Sequence, residues 1–403
     1  MNLNTKFLLF IFFINNAFAN ESFQNILRST AIDNGYQSPK SLIIEKDSEL
    51  FEEGKAFFES KNLSFNKNIA CATCHITRLG SSDALPNAAG IEGSGEGINR
   101  LLSGARIIPR NTLAMWGVGS KEFKRFFWDG RIDFSGKKII SQFGDSIPSK
   151  DPLISAVHLP VVELRETIDE DDFILAHKLE STKGADAVFD AITKKLTNKE
   201  PKAINSLANK LNKNSDEVEF LDIARSISAF IRKEFRIRES KFSTFMSGDT
   251  KVMNKNEING GILFYGKGGC VVCHNGPYFT NFDFYTVPFA QIGFGKNGFG
   301  IDYGRYNVTF NPKDLYKFRT PVLWNVSNTP PYGHSGSAKT LKSAILYHFD
   351  PLTQIETDKL SSFSRYEYYK YLTKNDSINY VNYLNDQEVN DLVLFLETLE
   401  FLN

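Results

Sequence analysis

The run Gly269-Cys270-Val271-Val272-Cys273-His274 constrains this chain more than any other, because Cys71-Ala72-Thr73-Cys74-His75 repeats its form. Together the two runs use all four cysteines of the chain. In a C-x-x-C-H run the two thiols add across the haem vinyl groups and the adjoining imidazole binds iron. A C-x-x-C pair also serves redox and zinc sites. Zinc, however, needs further Cys or His close by, and after His75 the next histidine is His158. Two copies, both closed by a histidine and with no cysteine to spare, predict a di-haem c-type cytochrome with two covalently bound haems.

A chain of 403 residues with 41% apolar residues suits two domains, each with its own core. Lys+Arg and Asp+Glu both total 47, so the charge excess of a nucleic-acid binder is absent, and haem propionates would turn the balance mildly acidic. Residues 1–19 read as a signal peptide. Lys6 gives the positive start, Phe7 to Ile14 the short apolar run, and Ala17-Phe18-Ala19 the small-x-small cleavage site. No later stretch is apolar enough to span a bilayer, and c-type attachment requires export, so the expected address is the periplasm.

Periodicity predicts a mainly α fold. Residues 20–47 read as an extended arm. Ser48 is expected to cap a helix with Leu50, Phe51, Gly54, Phe57 and Phe58 on one face. Residues 80–104 are rich in Gly, Ser and Asn and read as irregular loop over haem; 181–215 read as a surface helix and loop. A strong helix carries Phe220, Leu221, Ala224, Ile227, Ser228 and Ile231, and the domain join falls near 238–248. Ile258 to Tyr265 forms the helix before the second motif, as Leu50 to Phe58 does before the first. That is an internal repeat. Residues 277–315 read as another covering loop, and a last helix runs from Asp386 with Val389, Leu392, Val393, Leu396 and Leu399 on one face. The expected architecture is two cytochrome-c-like haem domains in tandem, 20–237 and 238–403.

Six runs carry a resemblance: LSFNKNIACATCH (63–75), PRN (109–111), FFWDGR (126–131), LFYGKGGCVVCHNGPYFT (263–280), FRTPVLWNV (318–326) and TPPYGHSG (329–336). Across roughly residues 48–400 the chain resembles the bacterial di-haem cytochrome c peroxidases, and within them the MauG-like branch. The resemblance implies that an N-terminal haem meets hydrogen peroxide and a C-terminal haem handles electrons.

Counting ligands agrees with that division. No histidine lies between His75 and His158, and Met115, the only methionine there, sits beside Trp116 in an apolar segment. The N-terminal iron, held by His75, is expected to keep an open position. The resemblance places the proton-moving glutamate at Glu166, with Glu163 as the alternative; His158 reads as structural, and His177 as a surface residue. At the second haem no methionine follows His274, so the sixth ligand must be something else. Leu341, Ala344, Ile345 and His348 share one face of a helix capped by Thr340, and His348 falls where relatives carry methionine. Tyr347, about 100° round that helix, is second choice. By resemblance, His334 supports the haems, Trp128 couples them, and a calcium ion binds at Asn111, Thr329 and Pro331.

Three functions fit: a MauG-like enzyme that uses peroxide to oxidise a partner protein, a cytochrome c peroxidase fed by a small redox protein, and a plain electron carrier. An open iron with Glu166 argues against the carrier. Imidazole in place of methionine keeps the second haem's potential low, which favours the MauG-like reading.

Overall fold

A computed structural model describes residues 23–64, 69–144, 146–168 and 186–402. The signal peptide and His177 lie outside them. Among the described residues the fold is mainly helical, with two small antiparallel sheets. No helix among the described residues is long and apolar enough to cross a membrane.

Two helix pairs organise the chain, one ahead of and behind each cysteine motif. Phe51–Glu59 crosses Phe220–Glu234, and Lys255–Tyr265 crosses Asp386–Glu397. Both crossings depend on a glycine. A Cβ on Gly54 would lie 1.8 Å from the Ser226 carbonyl oxygen, and one on Gly260 would lie 1.9 Å from that of Asp391. Only hydrogen fits between backbones that close. The internal repeat expected from the motifs therefore extends to the helices that frame them.

The first helix of the repeat starts at Phe51, after a 3-10 turn Ser48–Leu50 whose cap position is Asp47, so Ser48 is not the cap. The helix before the second motif begins three residues earlier than expected, because Asn254 accepts from the Asn256 and Glu257 amides and Glu257 returns the bond. Two other expectations need correction. Residues 23–33 form a helix, not an extended arm. Its Leu27 and Ala31 are fully buried, and Leu27 packs against Gly261 of the Lys255–Tyr265 helix. The 181–215 stretch holds two helices, Asp186–Lys199 and Pro201–Leu211, whose Phe189, Ile192, Leu196, Ile204 and Leu207 belong to the core. The expected join contains the capped helix Lys241–Met246, with Phe242 and Phe245 fully buried and Phe242 edge-on to Phe395. One continuous apolar cluster runs from Phe57 through Phe235 and Phe242 to Phe395.

The FFWDGR run forms a hairpin. Arg125–Phe126 pairs with Ile132–Asp133, which pairs with Ile140–Ser141, leaving Phe127 to Arg131 as the turn. The second sheet pairs Phe284 with Arg319 and Tyr285 with Phe318.

Gly54→Val and Gly260→Val should each lower stability by about 1–3 kcal/mol through overpacking, read as an earlier urea midpoint. Gly136→Ala, where a Cβ meets nothing closer than 3.5 Å, should leave the midpoint in place.

Candidate functional site

Cys71–Cys74 forms one helical turn, and His75 follows it. The Nδ1 of His75 lies 3.1 Å from the Ser81 carbonyl oxygen. A carbonyl only accepts, so Nδ1 carries the proton and Nε2 presents its lone pair, the tautomer iron requires. Burial also lowers the His75 pKa, which keeps the ring neutral. The side chain of Ser81 anchors a second segment. Its Oγ accepts from the Met115 amide at 2.8 Å, while Trp116 Nε1 donates to the neighbouring Gly80 carbonyl at 2.9 Å. The Met115 backbone is thus tied to the loop that orients His75, and its side chain packs on the main core.

The second motif repeats this arrangement. His274 Nδ1 donates to the Phe279 carbonyl at 2.8 Å, and burial with His348 nearby lowers its pKa to about 4. His348, on the helix Leu341–Phe349, donates from Nδ1 to the Ala344 carbonyl at 2.9 Å. Thr340 caps that helix by accepting from the Ser343 amide. His274, Cys270, Cys273 and His348 line one deep apolar cavity, joined there by Leu341, Ala344 and Ile345. Tyr347 lies elsewhere: it is fully buried, its ring 4.8 Å from that of Phe289 and its hydroxyl 3.4 Å from the Gln354 carbonyl.

Burial pushes the Cys71 and Cys270 thiols up to about 12 and Cys273 up to about 11. A redox-active dithiol needs the opposite shift. Nor do three His, Cys, Asp or Glu side chains converge as a metal-ion site among the described residues. Neutral imidazoles with Nε2 free, paired thiols and an apolar cavity fit haem.

Glu166 sits beside the first motif, and its charge is felt at both Cys71 and Cys74. Burial, reinforced by Glu163, raises its pKa to about 7, against the pull of Arg131 and Lys296. Glu163 is occupied by an ion pair with Arg131. His158 is buried among Phe143, Phe189 and Phe220 with Nδ1 on the Ile154 carbonyl, which makes it a core residue. The 80–104 stretch is better ordered than its composition suggests. It contains the helix Ile98–Leu102, Arg100 donates to the Ala89, Gly90 and Gly93 carbonyls, and Asp83 accepts from the Leu85 and Ala89 amides. The Ala89 carbonyl lies 3.7 Å from Cys74 Sγ, and the Ile91 amide donates to the Arg165 carbonyl, so this loop walls the first site next to Glu166.

Trp128 lines the second cavity and donates from Nε1 to the Asn111 carbonyl at 2.9 Å. The next residue, Asp129, pairs with Arg110 at 2.6 Å and with Arg131, which holds Glu163. The turn therefore reaches from the second cavity to the surroundings of Glu166. Arg110 also forks onto Asp302, at 2.6 and 2.8 Å. Sequence reading missed this pairing, and no local pattern could have found partners 192 positions apart. His334 is buried, stacked on Phe318 at 3.9 Å, with Nε2 3.0 Å from Gln291 Oε1. Asn111 does approach Pro331, but through its amide nitrogen, which donates to the Pro331 carbonyl at 2.6 Å and the Gly333 carbonyl at 3.3 Å.

The profile of the di-haem cytochrome c peroxidase family matches residues 48–251, half of the chain. The protein belongs to that family, and haem is the cofactor its two motifs serve. It is similar to the cytochrome-c peroxidase IdrP2 of a Pseudomonas species, 24% identical over 74% of this chain and 73% of that one. It is also similar to the methylamine utilization protein MauG of Methylorubrum extorquens, 24% identical over 91% of this chain and 83% of its relative. The fold matches that of the diheme peroxidase BthA from Burkholderia thailandensis with a TM-score of 0.63 at 18% identity, covering 91% of this chain and 89% of BthA.

Arg110→Met should leave the Asp129 and Asp302 carboxylates without their shared partner and cost about 3–5 kcal/mol in urea denaturation. Both carboxyls are held below the usual range by Arg110 in spite of burial. Their stabilisation is therefore complete above about pH 4 and is lost as pH falls further, through their folded-state values. Asp129→Asn should make the acid limb of the stability curve shallower.

Proposed function

We propose that the chain is a periplasmic di-haem enzyme of the MauG-like type. Hydrogen peroxide reacts at the N-terminal site, within residues 20–237, and oxidising equivalents pass through the C-terminal site, within 238–403, to a partner protein. The observation that carries this reading is the unlike furnishing of the two sites. The second cavity offers two imidazoles, His274 and His348, each with Nδ1 committed to a carbonyl and Nε2 left for iron. Among the described residues the first offers His75, with Glu166 near its cysteines.

Bound at Cys71 and Cys74, and at Cys270 and Cys273, haem supplies iron that exchanges electrons with peroxide. The protein supplies the positioning and the proton. At a pKa of about 7, Glu166 is half ionised near neutrality. It can take the proton from the inner peroxide oxygen and return it to the outer one as the O–O bond breaks. Glu163 and Arg131 set that poise from behind it. Trp128, at the wall of the second cavity and one residue from Asp129, is the coupling residue between the sites. A calcium ion at Asn111, Thr329 and Pro331 would require the Asn111 amide to turn its oxygen toward the Pro331 carbonyl. Soaking with a chelator and watching the haem spectra tests that.

The alternative is a cytochrome c peroxidase that draws its electrons from a small redox protein, since such peroxidases are among the similar relatives alongside MauG. Two imidazoles at the second site, with no methionine, support the MauG-like side because they keep that haem's potential low.

The ferric protein should show one high-spin and one low-spin haem. His348→Ala should turn the second to high spin, whereas the same change from Tyr347→Phe would contradict the ligand assignment. Glu166→Gln should keep both spectra but slow the peroxide reaction by about 10²–10⁴-fold. In the native protein that rate should rise with pH up to about 7 and level off, because the ionised carboxylate is the proton acceptor. One equivalent of peroxide in a stopped-flow mixer decides between the enzymes. A long-lived oxidised state without donor supports the MauG-like reading; fast multiple turnover with reduced cytochrome, and no such state, overturns it.

A further inference from the structure

Aromatic rings run in sequence from the wall of the second cavity to the surface. His334 and Phe318 line that cavity and stack at 3.9 Å. The ring of Tyr371 is 6.4 Å from His334, Tyr316 is 5.1 Å from Tyr371, Tyr303 is 5.8 Å from Tyr316, and Tyr306 is 5.9 Å from Tyr303. Tyr306 lies 6.1 Å from Phe310, which is 75% exposed. A buried aromatic cluster needs no tyrosines, since each hydroxyl must find a partner. Here four occur in succession, and their partners differ in kind. Tyr371 donates to the Val287 carbonyl at 2.6 Å, an acceptor that cannot keep a proton. Tyr316 faces the Glu367 carboxylate at 3.4 Å, an acceptor that can.

We propose that Tyr371, Tyr316, Tyr303 and Tyr306 form a relay that carries oxidising equivalents from the C-terminal haem site to the surface, where a side chain of a partner protein is oxidised. The relay rests on the function proposed above, which supplies hydrogen peroxide as oxidant. Electron transfer weakens exponentially with distance, so several ring-to-ring steps outrun one long one. An electron leaves Tyr316 for the oxidised haem site by way of Tyr371, and the phenolic proton of Tyr316 goes to Glu367. The neutral tyrosyl radical left at Tyr316 is refilled by one electron from Tyr303 while Glu367 returns the proton. Tyr306 refills Tyr303 and the partner's side chain refills Tyr306, losing one electron; Tyr303 and Tyr306, both half-buried, each give their phenolic proton to water on oxidation and take one back on reduction. Two such passages use the two oxidising equivalents of one peroxide, which leaves as two waters after taking up two protons. Tyr371, with no base at its hydroxyl, is a stepping stone where the radical does not rest.

A shorter exit competes. Tyr285 and Tyr380 also line the cavity, 6.2 Å apart, and Tyr380 is 42% exposed. Among the described residues neither hydroxyl donates to a carboxylate; Tyr285 accepts from Asn281. The proton-accepting partner favours the longer path.

The test is peroxide added to the holoprotein without donor, followed by nitroso spin-trap labelling and peptide mass spectrometry, with the haem absorption recorded in parallel. The relay predicts label at Tyr316, Tyr303 and Tyr306. In Tyr316→Phe the haem bands should respond to peroxide at the native rate, the oxidised state should last longer, and label should disappear from Tyr303 and Tyr306. Glu367→Gln should diminish the label at Tyr316 while leaving every ring in place. Haem bands that respond while label appears at Tyr380 instead, or persists at Tyr303 and Tyr306 in Tyr316→Phe, would overturn the relay and leave the peroxide chemistry standing. Haem bands indifferent to peroxide would overturn both.

Discussion

The arrangement of the two sites depends on how one turn is held. Phe127 to Arg131 comes from the first half of the chain, yet its carbonyls are gripped by arginines of the second. Arg319 binds those of Phe127 and Trp128 through its side chain and amide, and Arg305 binds those of Asp129 and Gly130. Asp129 adds the ion pair to Arg110, which Asp302 holds from the other side. Gly130 has to be glycine. At φ +64 a Cβ would lie 2.4 Å from the Phe284 ring and 2.5 Å from the Arg305 guanidinium. Charges buried this way are worth little as net stability against an apolar replacement, but they are costly to break singly. They fix where Trp128 and Arg131 stand.

Through Arg131 the same turn reaches Glu163 and the neighbourhood of Glu166, the carboxyl proposed to move the proton. Glu163 is spoken for by that arginine, which leaves Glu166, three residues on, as the carboxyl that burial can raise. Two glutamates in one short segment are thereby given different surroundings, one paired with a cation and one buried. At the second site the helix Leu341–Phe349 presents an imidazole, that of His348, to the cavity.

Much of this was legible in the sequence, because short-range chemistry fixes it. The C-x-x-C-H runs place thiols and imidazole within one turn of helix, and the 3.6-residue rhythm puts His348 on the face with Leu341, Ala344 and Ile345, where the structure also has it. The shared order of helix, short loop and motif pointed to the repeat. What periodicity could not reveal was partnership across distance, such as Arg110 with Asp302 or Arg305 with Gly130. It also misjudged polar-looking stretches. Residues 23–33 and 181–215 carry enough Asn, Lys and Asp to read as surface, yet a single apolar stripe on each helix suffices for burial. The loop at 80–104 reads as irregular because Arg100 and Asp83 order it through carbonyls and amides, which leave no periodic trace.

The helix at 23–33 has a bearing on assembly. Leu27 packs on Gly261, the Gly276 amide donates to the Asn34 carbonyl, and Arg28 reaches the Met246 carbonyl, so the earliest described segment is tied to residues 246–276. It cannot dock until its partner helix exists, some two hundred residues later in synthesis. Contacts of such long separation are slow to form and leave the segment exposed meanwhile. Its contact at Gly276, two residues after His274, makes docking of this helix and completion of the second cysteine motif events of one late stage.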